Sequence, residues 1–498
     1  MSHTNIESLP AEILLKLFQL IAEGNQEEDD GSCLKVMQSI RLVSQRFKEL
    51  VTPFLVQHAT VGMSSGSLRR LENLCNHPDF SKSINSVQID ASYYDTKLAR
   101  DAKQFARASS STLFQIFEIA ERAAHPSNPD SELVDKKLEK LWQDEKIPSE
   151  LEKMSKDDFD ETSATKYQKI LLRLHEEYVK LTEDQEYVRL DNGHVKRICE
   201  SLKKLQALGS VKITDRFNGE GGKVWDKLFD ADYSLEKVEE DDFFDFVLAR
   251  SGWNGTFVTA YTTSQPTEML GELLSQLGRS GLRPRSVEID LNVSANLSCM
   301  QVTDTQAQSI RELVSKTSAL KFTVHEWARK GSLAENNDRS KEEMMALGSL
   351  ITPLAGTVAL ESLTLDFNEY PRFYEHPTVS LSELLPIQTF QWPVLHDLWL
   401  GYLPCNLAEF GTLVDKHRNT IASFTGRGLY LRTISPGSTG DWDEVIDILR
   451  GLDSLKSLTF EYPKGGRFGT RGDYKSYDKE AVQDYILRKQ EKNPLTRA

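Results

Sequence analysis

Residues 395–401 read LHDLWLG and residues 360–366 read LESLTLD, the same spacing of leucines thirty-five positions apart. The spacing recurs as Leu205-x-x-Leu208-x-x-Val211-x-Ile213, Val287-x-Ile289-x-Leu291, Leu320-x-Phe322-x-Val324 and Leu452-x-x-Leu455-x-x-Leu458-x-Phe460, with an earlier copy at Ile84-x-x-Val87-x-Ile89 and a weaker one at Ile421-x-x-Phe424. Alternating apolar residues predict strands with one buried and one wet face. A parallel sheet covered on both faces would instead carry near-continuous apolar runs. Between the strands, residues 268–277, 304–314, 341–351, 407–417 and 443–449 place apolar side chains at three and four spacing, as amphipathic helices do, and Asp441, Asp443 and Glu444 mark a helix start. Strand and helix alternate, so the fold class is α/β. The steps between the anchors Val287, Leu320, Leu363, Leu398, Phe424 and Leu458 are 33, 43, 35, 26 and 34 residues, an irregular period.

The N-terminus has a different pattern. Residues 8–21 read SLPAEILLKLFQLI and residues 40–55 read IRLVSQRFKELVTPFL. Pro10 suits a first helical turn, and Ile13, Leu14, Leu17, Phe18 and Ile21 share one helical face. Glu27, Glu28, Asp29, Asp30 and Gly31 interrupt the stripe as a solvated loop, after which Leu34, Met37, Ile40, Val43, Phe47, Leu50 and Val51 resume it. Two or three short helices of about 50 residues bury too little surface to be very stable alone, so part of their apolar face calls for a cover.

The order Leu9-Pro10, Glu12-Ile13-Leu14, Leu17-Phe18, then Arg41, Val43-Ser44, Arg46-Phe47, Leu50-Val51, Pro53 and Leu55 resembles an F-box. The strand pattern resembles degenerate leucine-rich repeats. Together they imply a small N-terminal helical F-box at residues 1–60, a first repeat-like unit at 61–95, a mainly helical charged insertion at 96–204, an irregular leucine-rich-repeat-like solenoid at 205–463 and a basic tail at 464–498. The resemblance further implies a non-catalytic, cytoplasmic or nuclear substrate receptor of an SCF-type ubiquitin ligase. Its Leu9, Pro10, Ile13, Leu14, Leu17, Phe18, Ile40, Val43, Phe47, Leu50, Val51 and Pro53 would meet a Skp-type adaptor and through it a cullin scaffold, and its repeats would hold a protein substrate. The alternative is an interaction module that binds partners without leading to ubiquitylation.

Composition fits that setting. The chain carries no run of 18 apolar residues, and residues 1–10 lack a signal-peptide pattern, so no membrane is expected. The net charge of −15 disfavours a nucleic acid as main partner. Five scattered cysteines without a C-x-x-C pair argue against a disulfide framework or zinc ribbon. No catalytic, metal or cofactor constellation emerges. Residues 219–223, GEGGK, lack the first glycine and the Ser/Thr of a phosphate loop, and no H-E-x-x-H or G-x-S-x-G is present. Residues 131–144 and 165–188 read as charged helices, residues 239–244 as a helix start or an acidic-aromatic docking segment, and the tail as a solvated terminus.

If Leu398 and Leu400 face the core, Trp399 faces outward, in a surface shared with Lys212, Glu288, Lys321, Thr364 and Thr459. An aromatic in a polar row is the expected substrate anchor, rimmed by Asp366, Asp397 and Tyr402. The competing expectation is that a loop or the tail covers it.

Overall fold

The computed structural model describes residues 6, 9–23, 32–110, 153, 154, 156, 161–216, 250, 253, 268–292, 297–325, 340–367, 381–432, 441–466 and 478–496. The acidic loop 27–31, the helix expected over 131–144, the GEGGK stretch and the segment 239–244 lie outside the described residues.

One parallel sheet of nine strands organises the protein. Its members are β1 (His58–Gly62), β2 (Ser86–Asp90), β3 (Ser210–Thr214), β4 (Ser286–Asn292), β5 (Ala319–His325), β6 (Ser362–Asp366), β7 (Asp397–Gly401), β9 (Ser423–Arg427) and β11 (Ser457–Glu461). Each strand lies beside the next in chain order, and the two-residue strands β8 (Pro404–Cys405), β10 (Tyr430–Leu431) and β12 (Lys464–Gly465) form a second small parallel sheet. The anchors read from the sequence fall in one row: Val287 pairs with Leu320, then Leu363, Leu398, Phe424 and Leu458. The strands of this sheet start from the same bifurcated hydrogen bond to the neighbouring strand. The carbonyls of Gln57, Asn85, Gly209, Arg285, Ser318, Glu361, His396 and Ala422 each accept two successive N–H groups from the next strand's start. This shared bond accompanies a register free of stagger, whatever the length of the connection.

The second and fourth residues of the strands are buried with the apolar faces of the crossover helices in one continuous core, while the first, third and fifth face the other way. That alternation explains why, among the described residues, the crossover helices pack on that face. The observed helices Glu268–Arg279, Asp304–Leu313, Lys341–Ala355, Leu407–His417 and Trp442–Arg450 match the expected ones to within a few residues, and capping boxes at Thr303, Ser340 and Asn406 fix three of their starts. Strand β1 was not legible. Its His58-Ala59-Thr60-Val61-Gly62 carries a single β-branched alternation, and it straddles the expected boundary at residue 60.

Within the expected insertion, the helix Lys166–Arg189 starts at a Thr165 capping box and buries Leu171, Leu174 and Tyr178 against Tyr94, Leu98 and Phe105 in a core of its own. The Tyr178 hydroxyl accepts from Asp95 N at 2.6 Å, and Gln185 bonds both N and O of Tyr94, which fastens this helix behind β2. The tail corrects the expectation of a solvated terminus. Its helix Lys479–Ile486 buries Val482, Tyr485 and Ile486 in the main core, Arg450 lies 4.3 Å over the Tyr485 ring, and Arg488 pairs with Asp453 at 2.7 Å. Lys479 likewise pairs with Glu461 of the last unit at 2.6 Å. Among the described residues, no helix is long and apolar enough to cross a membrane.

Candidate interaction surfaces

Three helices, α1 (Ala11–Glu23), α2 (Ser32–Arg41) and α3 (Gln45–Leu55), form a small unit with a separate core of Leu14, Phe18, Met37, Phe47 and Val51. Ser44 caps α3 by accepting from Phe47 N, which aims Phe47 inward to meet Phe18 edge-on at 5.6 Å. Arg46 donates to the Leu9 carbonyl at 2.7 Å and ties the chain's start to α3.

This geometry divides the twelve residues expected to face an adaptor. Leu14, Phe18, Phe47 and Val51 are buried inside the unit, a correction with a simple cause: a helix with apolar residues on more than one stripe spends one stripe on its own neighbours. Leu9, Ile40 and Leu50 are half-buried against that core, and Pro10 and Pro53 are exposed. Ile13, Leu17 and Val43 are exposed, and Leu20, Val36 and Leu42 join them. On α1 the outward stripe Ile13, Leu17, Leu20 is the mirror of the inward stripe Leu14, Phe18, Ile21. The outcome is an uncovered apolar surface, the kind that marks an interaction site.

The second surface is the polar face of the sheet. Its central row runs in register through Thr60, Gln88, Lys212, Glu288, Lys321, Thr364, Trp399, Thr425 and Thr459. Trp399 is 36 % exposed, so no loop or tail segment among the described residues hides it, and its flanks are threonines. Along the row, Lys212 and Lys321 bracket Glu288 at 3.2 and 3.0 Å. The next outward row, at the strands' carboxyl ends, carries Asp90, Thr214, Asp290, Thr323, Asp366, Gly401, Arg427 and Glu461.

These end-of-strand residues were largely unread in the sequence. Burial opposes ionisation of Asp290, but a 2.7 Å contact with His325 Nε2 and the charges of His325, Arg216 and Lys212 outweigh it and hold its carboxyl below the ordinary range. Asp90 meets Arg250 at 2.7 Å. Asp215 accepts from Trp253 N at 2.5 Å and Asn292 N at 2.7 Å, yet complete burial pushes its carboxyl up to about 7. Trp253 also donates its indole N–H to the Ala91 carbonyl, so Arg250 and Trp253 cover the β2–β3 end of this face. Neither has a periodic context that would have flagged it.

The rim expected around Trp399 is present but unequal. Asp397 is engaged by His396 Nδ1 at 2.8 Å. Tyr402 is half-buried with φ of +53°, and its ring lies against Gly428, itself at φ +61°. Arg427 and Lys464 stand 5.9 and 5.7 Å from the centre of that ring. Asp366 leans over Gly401, where a side chain would collide with its carboxylate. Among the described residues, no three His, Cys, Asp or Glu side chains converge as metal ligands would. The fold and these surfaces define an α/β protein with one open parallel sheet and an appended three-helix unit. No protein-family model matches the chain, and no curated protein matches it.

Proposed function

We propose that the chain is a substrate receptor of an SCF-type ubiquitin ligase, its N-terminal unit an F-box and its sheet an irregular array of leucine-rich repeats. The observation that carries this reading is the exposed apolar stripe of Ile13, Leu17 and Val43, at positions where the F-box resemblance expects a Skp-type adaptor. The polar face of the sheet, with Trp399 exposed on it, supports the second half, a surface for a protein substrate. The receptor's contribution is then proximity: it raises the effective concentration of a substrate lysine near a charged conjugating enzyme, in the cytosol or nucleus, with no chemistry of its own.

The test is co-purification of the full chain with the adaptor. Leu17→Asp combined with Val43→Asp is expected to abolish capture while the circular dichroism stays native, because both side chains point out of the unit. Phe47→Asp is a poor probe, since it would place a charge in the α1–α3 core. Undiminished capture by the Leu17/Val43 variant would reject the reading; accumulation of the same proteins on deleting the gene or blocking the cullin would establish ubiquitylation over mere binding.

A further inference from the structure

We propose that the face around Trp399 receives an arginine side chain of the protein substrate, its guanidinium laid on the indole and its charge against Asp366. The proposal rests on the reading of the polar sheet face as the substrate surface and deepens it by naming the chemistry it takes.

Asp366 is a half-buried carboxylate with no hydrogen bond or ion pair among the described residues; its Oδ1 is shielded from water, which leaves Oδ2 as the atom an incoming donor can meet. Arg427, Lys321 and His325 lie close enough to influence it: Lys321 engages Glu288 at 3.0 Å and His325 engages Asp290 at 2.7 Å, while Arg427 stands 5.9 Å from the centre of the Tyr402 ring with its Nε buried and without a hydrogen-bond partner among the described residues. A carboxylate in this position is costly unless a donor reaches it. Burial accordingly pushes its carboxyl above the ordinary range, only partly offset by Arg427, His325 and Lys321. Beside it in register, Thr323 is 6 % exposed and its hydroxyl also lacks a partner. Two strand positions away stands Trp399, exposed between Thr364 and Thr425, neither of which is large enough to cover it.

The backbone next to this place is held at a cost. Tyr402 and Tyr462 both adopt left-handed φ values, +53° and +54°, at the turn position that Gly428 fills between them. A bulky residue there costs on the order of 1 kcal/mol or more, and such strain persists where the side chain is needed. An arginine suits the combination better than an anion. A guanidinium stacks on an aromatic face while donating to a carboxylate, the neighbouring cations already face Tyr402, and the net charge of −15 draws basic segments to the surface.

The test is titration calorimetry of the full-length chain with acetyl-(Gly-Arg)4-amide, and with acetyl-(Gly-Glu)4-amide as counter-probe, at about 0.1 M salt, where long-range surface attraction is largely screened. The arginine peptide is expected to bind and the glutamate peptide not. Trp399→Ala should weaken binding by about tenfold, as loss of a central aromatic anchor does, and Asp366→Asn by several-fold. Thr425→Lys, a change at a half-exposed strand position that sets a cation beside the indole, should abolish it; this variant decides the question should Trp399→Ala fail to fold. Absence of binding, equal binding of the two peptides, or unchanged binding in Trp399→Ala and Thr425→Lys would overturn the proposal. Adaptor capture by α1–α3 is read in a separate assay, so the two readings fail independently.

Discussion

Trp399 and Phe47 show how far single residues can be read from the chain. The outward orientation of Trp399 follows from strand alternation alone, since Leu398 and Leu400 are both buried. The inward orientation of Phe47 does not follow from helical periodicity, which gives the stripe but not which of two neighbouring stripes the partner helices claim. Buried ionisable residues are harder still. His194 is 2 % exposed in the helix Gly193–Leu202, and burial, aided by the nearby charge of Arg189, holds its imidazole down to about 4 from 6.5. The unfolded chain therefore binds a proton below pH 6.5 that the folded one refuses. His194 contributes stability above that pH, and the contribution drains away as pH falls towards 4. Denaturant unfolding of His194→Leu at pH 7 and pH 4.5 is expected to show a smaller acid loss than the wild type, by up to about 3 kcal/mol; an identical loss in both would mean that His194 titrates as it does in water.

At the scale of elements, helix existence was legible because capping residues and apolar period agree, as at Ser340 with Glu343 and Asn406 with Glu409. What the pattern does not carry is how closely elements approach. Gly278 sits where the helices Glu268–Arg279 and Asp304–Leu313 touch, and a Cβ there would overlap the backbone carbonyl of Ser309. Backbone cannot swing aside as a side chain can. Gly278→Ala is expected to cost about 2 kcal/mol or more despite alanine's better helix propensity. Gly411 lies in the helix Leu407–His417 with open space around its would-be Cβ, so Gly411→Ala is expected to gain about 0.5–1 kcal/mol. Urea midpoints of the two variants check both signs, and a stable Gly278→Ala would show that these helices separate more easily than their contact implies.

At the scale of the molecule, alternation predicted the sheet with one wet face, whereas the fastening of its ends by Arg250, Trp253 and the helix Lys479–Ile486 is long-range and has no local signature. The lengths of the connections between strands bear on the order in which the protein assembles. Most strand pairs join partners a few tens of residues apart, as Val287 with Leu320, but Val87 pairs with Val211 across the long segment that separates β2 from β3. Closing that loop costs about 1 kcal/mol more in chain entropy than closing the one from Val287 to Leu320, and distant contacts form slowly. The β1–β2 pair thus joins a sheet already grown from β3 to β11. Pulsed hydrogen exchange during refolding should protect the amides of β4 to β7 before those linking β2 to β3; simultaneous protection would mean the insertion folds first and brings its two ends together. The seam between β2 and β3, which Trp253 bridges from Asp215 to the Ala91 carbonyl, is then the last joint closed in a structure otherwise laid down course upon course.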